Sequence, residues 1–290
     1  MEPFRQHEFG WRVALDFLLS GTGSSMFIIY FLSAGSNRLV YMLGPVFILA
    51  GLAVLLSELG KPSNFWRSIY NYKTSWMARG AIFNILYILV WLAMILAYIL
   101  NLYAFPLYAI EFALSILVLI YPVMLLQDVK DIKLWKNGWS SVMTAVYAIS
   151  GGASLDAFII SLYQPDVLTL AYISLGISLL ALVLLFAYIS ALRREQYKSI
   201  EYSLRQMLEG DRQNLLKLSF SGVVVQFAMD LLFILNIPAK PFALLVGFAF
   251  SMAGVYSFRL MLLNAGFHEP LISDKRIKEI TASLKIGHKN

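Results

Sequence analysis

Eight long apolar runs constrain the fold of this sequence more than any other feature. An α-helix needs about 20 apolar residues to cross the roughly 30 Å hydrocarbon core of a bilayer. The runs therefore predict an all-α membrane protein with eight transmembrane helices, arranged as two four-helix bundles in a single integral membrane domain over 1–290. They lie near 11–33, 40–59, 79–101, 105–127, 139–162, 167–191, 214–236 and 241–263.

Composition excludes several classes of function. The chain is 59% apolar and 14% charged, whereas a soluble domain has about 25% charged residues, so a soluble enzyme is excluded. It contains no cysteine, and its three histidines, His7, His268 and His288, lie in the terminal segments. Thiolate metal sites, iron–sulfur clusters and haem held by paired imidazoles all need such ligands. We therefore expect this chain itself to ligate no metal, no haem and no iron–sulfur cluster.

The positive charges fall mainly on one side of the predicted spans. Of the 23 Lys and Arg residues, 20 lie on the side of the N-terminus, while Arg38 and Lys240 lie on the opposite side and Arg259 lies within the last run. Positively charged loops stay in the cytoplasm. We therefore predict a multi-pass protein of the cell membrane with both termini cytoplasmic, including a basic C-terminal tail over 264–290.

Two connections on this charged side have features of interaction surfaces. The 192–217 connection has the spacing of an amphipathic helix, which predicts a surface element on lipid headgroups or under a partner subunit. The 61–79 connection mixes cations and aromatics, which indicates either partner docking or an interfacial aromatic belt with snorkelling cations. The docking candidates are Lys61, Trp66, Arg67, Lys73, Trp76 and Arg79.

Apart from the cations already counted on the charged side, six acidic or basic residues lie within the apolar runs, and each is a candidate functional residue because a charge in the bilayer interior is costly. Glu58 and Arg259 fall near the ends of their runs, where snorkelling or a structural ion pair explains them. Glu111, Asp156 and Asp230 lie deeper and are candidates for proton transfer, or for the transport of an ion or solute. The sixth residue is Asp16.

Asp16 and Tyr121 are polar residues of the first four runs whose neighbours in the sequence add to the case for a function. Asp16 follows Arg12 by one helical turn and precedes the small-residue stretch SGTGSS (20–25), which allows close approach of a helix or a flat ring. An i, i+4 ion pair with Arg12 is the alternative explanation. Tyr121 precedes Pro122, which bends its helix, and its hydroxyl needs an acceptor in the protein or in a ligand.

Four segments together resemble the membrane-subunit family of polysulfide reductase, often called NrfD/PsrC. The resemblance implies an eight-span anchor that binds a quinone, menaquinone or ubiquinone, in a respiratory oxidoreductase complex. It implies two partners, an iron–sulfur electron-transfer subunit and a catalytic subunit that carries molybdopterin or tungstopterin. The segments are SGTGSSMF, LGKPSNFWRSIYNYKTSWMARG, IYPVMLLQDVKDIKLWKNGW and FRLMLLNAGFHEP.

Carried onto this sequence, the resemblance implies a quinone pocket at Asp16 and Tyr121 with Val13, Gly21 and Gly23. Better-known members of the family can have His at the position of Asp16, and Val13 offers no hydrogen bond. Because quinone reduction takes up two protons, a carboxylate beside the ring can relay protons, which makes Asp16 a candidate for proton transfer. Asp128 is a candidate feed from the surface, or simply an exposed charge at the end of its helix. Two alternatives remain, a polytopic ion or solute transporter that uses buried carboxylates, and a passive anchor without a pocket.

The resemblance conflicts with the charge pattern over the side on which partners bind. In better-studied members the connection that corresponds to 61–79 meets the iron–sulfur subunit outside the cytoplasm. The charge pattern predicts cytoplasmic partners instead. The other interpretation is that the cationic face docks an acidic iron–sulfur protein, so that its charge reflects the partner and not the topology.

Overall fold

The protein is almost entirely helical. The computed structural model describes residues 4–6, 9–33, 38–58, 70–163, 168–236 and 240–269. Its long helices are α1 (Trp11–Leu32), α2 (Arg38–Glu58), α3 (Trp76–Ile99), α4 (Phe105–Asp128), α6 (Gly138–Ser161), α7 (Leu168–Leu192), α9 (Gln213–Ile234) and α10 (Lys240–Asn264). The described ranges also contain two short helices, α5 (Lys133–Lys136) and α8 (Lys198–Leu208), and two strands, β1 (Phe4–Arg5) and β2 (Phe267–His268).

Seven of the long helices are apolar and long enough to cross a membrane, which confirms an all-α membrane protein with several spans. The exception is α2, whose apolar part, Met42–Ser57, is shorter. An eighth crossing by α2 therefore stays a prediction.

The long helices pack as two rings of four, which matches the predicted pair of bundles. In the first ring α1, α2, α3 and α4 contact one another in order, and α4 returns to α1. In the second ring α6, α7, α9 and α10 do the same, and α10 returns to α6. Helix α1 joins the rings because it also packs against α6 and α10. The junction between the bundles is therefore built around α1.

Pairs of glycines let neighbouring helices approach closely. A Cβ atom added to Gly23 would lie 2.4 Å from the backbone oxygen of Gly44, and one added to Gly44 would lie 2.7 Å from the backbone oxygen of Gly23. The backbones of α1 and α2 thus touch at this crossing. Gly222 and Gly254 make a similar contact between α9 and α10, where an added Cβ on Gly222 would lie 2.7 Å from the Gly254 Cα. Small residues serve this purpose in membrane helix packing.

One end of the molecule, which we call the strand face, carries β1 and β2 paired antiparallel. The last carbonyl groups of a helix have no partner within the helix. Here the N-terminal segment and α5 donate hydrogen bonds to those carbonyls of α10, and so hold the end of the helix that bears Arg259. The bonds are Arg5 Nε to Asn264 O at 2.8 Å, Gln6 Nε2 to Leu263 O at 2.7 Å, and Trp135 Nε1 to Leu262 O at 2.9 Å.

The predicted amphipathic connection at 192–217 contains helix α8. Its residues Ile200 and Met207 are buried, and α8 packs against α5, α7, α9 and β2. The apolar face of this helix therefore covers the strand face of the protein itself. Tyr197, just before the helix, is 47% exposed. In the predicted tail, residues 264–269 form the end of α10 and β2, and residues 270–290 lie outside the described part.

Candidate functional site

Asp16 on α1 and Tyr121 on α4 lie together in the protein interior. The Tyr121 hydroxyl donates to Asp16 Oδ2 at 2.5 Å, and both side chains are at most 2% exposed. The Asp16 backbone oxygen accepts a further bond from Ser20 Oγ at 2.7 Å. Two residues 105 positions apart, each predicted separately, are thus directly bonded.

Arg259 on α10 is the third member of this site. Its guanidinium group acts electrostatically on Asp16 and Tyr121, and its Cζ lies 6.0 Å from the centre of the Phe17 ring. The side chain is 2% exposed, so it does not snorkel to the surface as one interpretation of the sequence suggested. Among the described residues, Nε and Nη1 of Arg259 have no hydrogen-bond partner.

Each of the three polar side chains lies against a glycine of a neighbouring helix. A Cβ atom added to Gly21 would lie 2.6 Å from Arg259 Nη2, and one added to Gly51 would lie 2.9 Å from Asp16 Oδ1. A Cβ atom added to Gly80 would lie 2.3 Å from Tyr121 Cδ2. Any larger residue would displace the polar group beside it. Gly21 was predicted as a site residue. Gly51 and Gly80 were not predicted from the sequence. A glycine inside an apolar run does indicate that a neighbouring helix or side chain approaches the backbone closely.

The other residues that were predicted to line a quinone pocket take different places. Val13 is buried on α1, one turn before Asp16. Gly23 packs on Gly44, so its contact is with helix α2 and not with the three polar side chains. Asp128 is exposed at the end of α4, seven residues and about 10 Å beyond Tyr121. Arg12 places its guanidinium carbon 5.3 Å from the centre of the Trp11 ring.

The three deeper carboxylates form a separate layer near the end of the helices opposite the strand face. Glu111 lies six residues after the start of α4, Asp156 five residues before the end of α6, and Asp230 four residues before the end of α9. Ten residues of α4, about 15 Å, separate Glu111 from Tyr121. The five candidates for proton transfer are therefore not one cluster.

Asp230 belongs to a hydrogen-bond network inside the second bundle. Ser174 Oγ donates to Asp230 Oδ2 at 2.6 Å, and Gln226 Nε2 donates to Ser174 Oγ at 3.1 Å. Ser150 Oγ in turn donates to Gln226 Oε1 at 2.7 Å. The network links α6, α7 and α9 through their buried faces. Ser174 is thus a hydrogen-bond partner for Asp230, which explains how its carboxyl group is accommodated in an apolar bundle.

Of the predicted docking residues, Lys61, Trp66 and Arg67 lie outside the described residues, and the other three surround the start of α3. The Arg79 guanidinium lies over the Trp76 ring, with its Cζ 4.4 Å from the ring centre. Its Nε donates to Tyr72 O at 2.8 Å and its Nη2 donates to Lys73 O at 2.7 Å. Arg79 therefore holds the preceding turn on the helix, which fixes the shape of this exposed surface.

Asp16, Tyr121 and Arg259 bring a proton acceptor, a hydroxyl and a cation together in one buried place, and two donor atoms of the cation have no partner in the described part of the chain. This set can hydrogen-bond an oxygen-bearing ring and exchange protons with it. Within the described ranges, no group of three or more acidic or histidine side chains is arranged to hold a metal ion. In comparisons with known proteins, no family model and no curated protein matches this chain.

Proposed function

We propose that this chain is the membrane anchor and quinone-binding or quinol-binding subunit of a multisubunit respiratory oxidoreductase. It exchanges electrons between an iron–sulfur partner subunit and a quinone of the membrane, menaquinone or ubiquinone. The observation that carries the proposal is the buried Tyr121–Asp16 hydrogen bond beside Arg259, whose Nε and Nη1 are unpaired among the described residues. A buried donor without an acceptor is costly, so a ligand oxygen that accepts from Arg259 removes that cost.

The three side chains have distinct roles in this proposal. Arg259 donates from Nε or Nη1 to a ring carbonyl, and a charged donor makes a strong hydrogen bond. Asp16 accepts a proton at its carboxylate when a ring hydroxyl is oxidised, and Tyr121 holds that carboxylate in place. A bound quinone supplies chemistry that takes up or releases two electrons and two protons. The opposite charges of Arg259 and Asp16 keep the pair close to neutral in an apolar interior.

The location of the site agrees with an anchor. Asp16 is five residues, or about 8 Å, into α1 from the strand face, and Asp128 is exposed on that side. The turn held by Arg79 lies at the same end, because α3 begins there. An iron–sulfur subunit docked on this surface, with a molybdopterin or tungstopterin subunit beyond it, brings its electrons near the pocket. The charge pattern supports a cytoplasmic position for these partners.

The test compares two buried tyrosines in the complex purified with its partner subunits. Tyr121→Phe removes the hydroxyl bonded to Asp16, and Tyr147→Phe removes a hydroxyl that accepts from Ser219 Oγ at 2.9 Å in the second bundle. One hydrogen bond is worth about 0.5–1.5 kcal/mol, so we expect Tyr121→Phe to weaken binding of a quinone analogue by roughly 2-fold to 10-fold. Tyr147→Phe should leave it unchanged. Equal effects of the two variants, or none, contradict the proposal.

Ion or solute transport is the second candidate, and the buried Glu111 and Asp156 favour it. Purification of the tagged chain in mild detergent separates the two functions. Iron-bearing subunits and quinone in the eluate support the anchor. A stable chain without iron, molybdenum, tungsten or quinone supports the transporter.

A further inference from the structure

Six Lys and Arg residues lie on the strand face where α6 begins and α7 ends. We propose that this surface, which we call the cationic edge, binds the phosphate group of an anionic phospholipid in the adjacent leaflet of the membrane. The proposal does not depend on the proposed quinone function. It rests on the exposed charges, on the contacts that join them, and on the apolar helix surface beside them. The cationic edge consists of Lys130, Lys133, Lys136, Arg193, Arg194 and Lys198.

Two side-chain contacts join the two stretches of the cationic edge. Asn137, just before α6, donates from Nδ2 to Glu195 Oε1 at 3.2 Å, although the two residues are 58 positions apart in the sequence. Lys133 on α5 places its Nζ 5.5 Å from the centre of the Tyr197 ring. The segment before α6 and the segment after α7 therefore form one surface.

The cationic edge carries a surplus of positive charge that faces outward. Over 128–137 and 193–198 the chain has six Lys or Arg residues and three Asp or Glu residues. Lys136, Arg193 and Arg194 are exposed. Within the described ranges neither arginine forms an ion pair with an acidic side chain. These charges are therefore open to an anionic partner.

The exposed side of α7 leads directly to the cationic edge. Leu179, Val183 and Phe186 are all exposed on this helix, at successive steps of three or four residues. Arg193 follows Phe186 by two helical turns, and its backbone N still donates to Ile189 O at 3.1 Å, so it lies on the same face. A phospholipid has the same order of groups, apolar chains followed by a phosphate. An acyl chain along α7 therefore brings its phosphate to Arg193.

Trp139 on α6 indicates that the cationic edge lies at the depth of the headgroups. It is 39% exposed in the first turn of α6, and its backbone N donates to Asn137 Oδ1 at 2.9 Å. Tryptophan is enriched at the boundary between membrane and water. Val142, one turn further into the helix, is an exposed apolar residue. The surface thus changes from apolar to cationic within a few residues on α6 as well as on α7.

This position favours a lipid over an acidic protein subunit. Helix α7 packs against α6, α8 and α9, and its remaining sides face outward. The candidates for docking a partner subunit, Lys73, Trp76 and Arg79, lie instead around the start of α3 in the first bundle. Clusters of cations at the end of a membrane helix attract anionic lipids. The molecules next to the cationic edge are the headgroups that surround α6 and α7.

The test measures binding of phosphatidylglycerol and phosphatidylcholine to the full chain in mild detergent by native mass spectrometry. We expect phosphatidylglycerol to bind more tightly. Arg193→Gln and Arg194→Gln should each weaken its binding by about 5-fold, because one cation near an anionic lipid surface contributes roughly that factor. The matched control is Arg205→Gln, which removes the same charge from an exposed arginine of α8 whose Nε lies 4.0 Å from Glu209 Oε2. It should change binding by less than about 2-fold.

Four results would overturn the proposal. Equal binding of the two lipids would show that the charge of the headgroup is not recognised. Equal losses in Arg193→Gln and Arg205→Gln would assign the effect to net charge alone. Displacement of the lipid by inorganic phosphate at the same concentration would make a free anion the ligand. Loss of an iron-bearing subunit from Arg193→Gln, with unchanged lipid binding, would assign the cationic edge to an acidic protein. Since none of these measurements involves quinone, failure here leaves the proposed function standing.

Discussion

The contact between Gly80 and the Tyr121 ring gives the sharpest test of the candidate site. In Gly80→Ala the new Cβ would lie 2.3 Å from Tyr121 Cδ2 and 2.7 Å from Cε2, whereas carbon atoms pack at about 3.5–4.0 Å. The ring must therefore move by more than about 1 Å. It cannot move freely, because it is 2% exposed and packs edge-on against Phe17 with ring centres 6.0 Å apart.

Gly176→Ala is the matched control, since it makes the same change on an exposed face of α7 where nothing lies within 4 Å. Both variants gain the same helix propensity of about 0.5–1 kcal/mol, so their difference isolates the steric cost. Overpacking a buried site costs about 1–3 kcal/mol. We expect Gly80→Ala to be less stable than Gly176→Ala by that amount in unfolding measurements in mild detergent.

A double variant shows whether the Tyr121 ring is the cause. In a Tyr121→Leu background the aromatic ring is absent, so Gly80→Ala should lose most of its additional cost. Equal stability of Gly80→Ala and Gly176→Ala, or an unchanged cost in the Tyr121→Leu background, would refute the packing described here. Because the ring carries the hydroxyl bonded to Asp16, Gly80→Ala should also weaken binding of a quinone analogue.

Three further outcomes follow from other contacts. Trp135→Phe leaves the buried Leu262 carbonyl without its donor and should lower the free energy of unfolding by about 1–3 kcal/mol. Its control, Trp139→Phe at a site 39% exposed, should change that free energy by less than about 0.5 kcal/mol. Gln226→Leu removes the group that joins Ser150 to Ser174 and should cost about 1–3 kcal/mol in the same assay. Arg79→Lys loses the planar contact with Trp76 and the paired bonds to two carbonyls. Retention of the proposed iron–sulfur subunit on a tagged chain should therefore fall while the chain stays folded.

The sequence predicted the polar residues of the site better than their arrangement. A charge in an apolar run marks Asp16, and a tyrosine before proline marks Tyr121, because burial makes each polar group conspicuous. Their direct bond depends on how α1 packs against α4, which no local pattern determines. Arg259 shows the limit most clearly, since its depth suggested snorkelling but the packing of α10 on α1 turns its side chain inward.

The amphipathic helix shows the opposite case. The spacing over 192–217 predicted an amphipathic helix on lipid headgroups or under a partner, and in α8 its apolar residues Ile200 and Met207 are buried. The pattern cannot say what covers that face, because lipid, a partner and the same chain present similar apolar surfaces. The structure places α8 against the strand face of the protein itself.

Helix α4 connects Glu111 with the candidate site and bends beside Tyr121. Glu111 lies near its start and Tyr121 near its end, and Pro122 follows within the same helix. A proline inside a helix removes a backbone hydrogen bond and permits bending. Any coupling between the protonation of Glu111 and the chemistry at Tyr121 therefore has a direct mechanical route along α4. A pH dependence of quinone-analogue affinity that Glu111→Gln abolishes would measure that coupling, and thermodynamic linkage requires an equal reciprocal effect of the analogue on proton binding at Glu111.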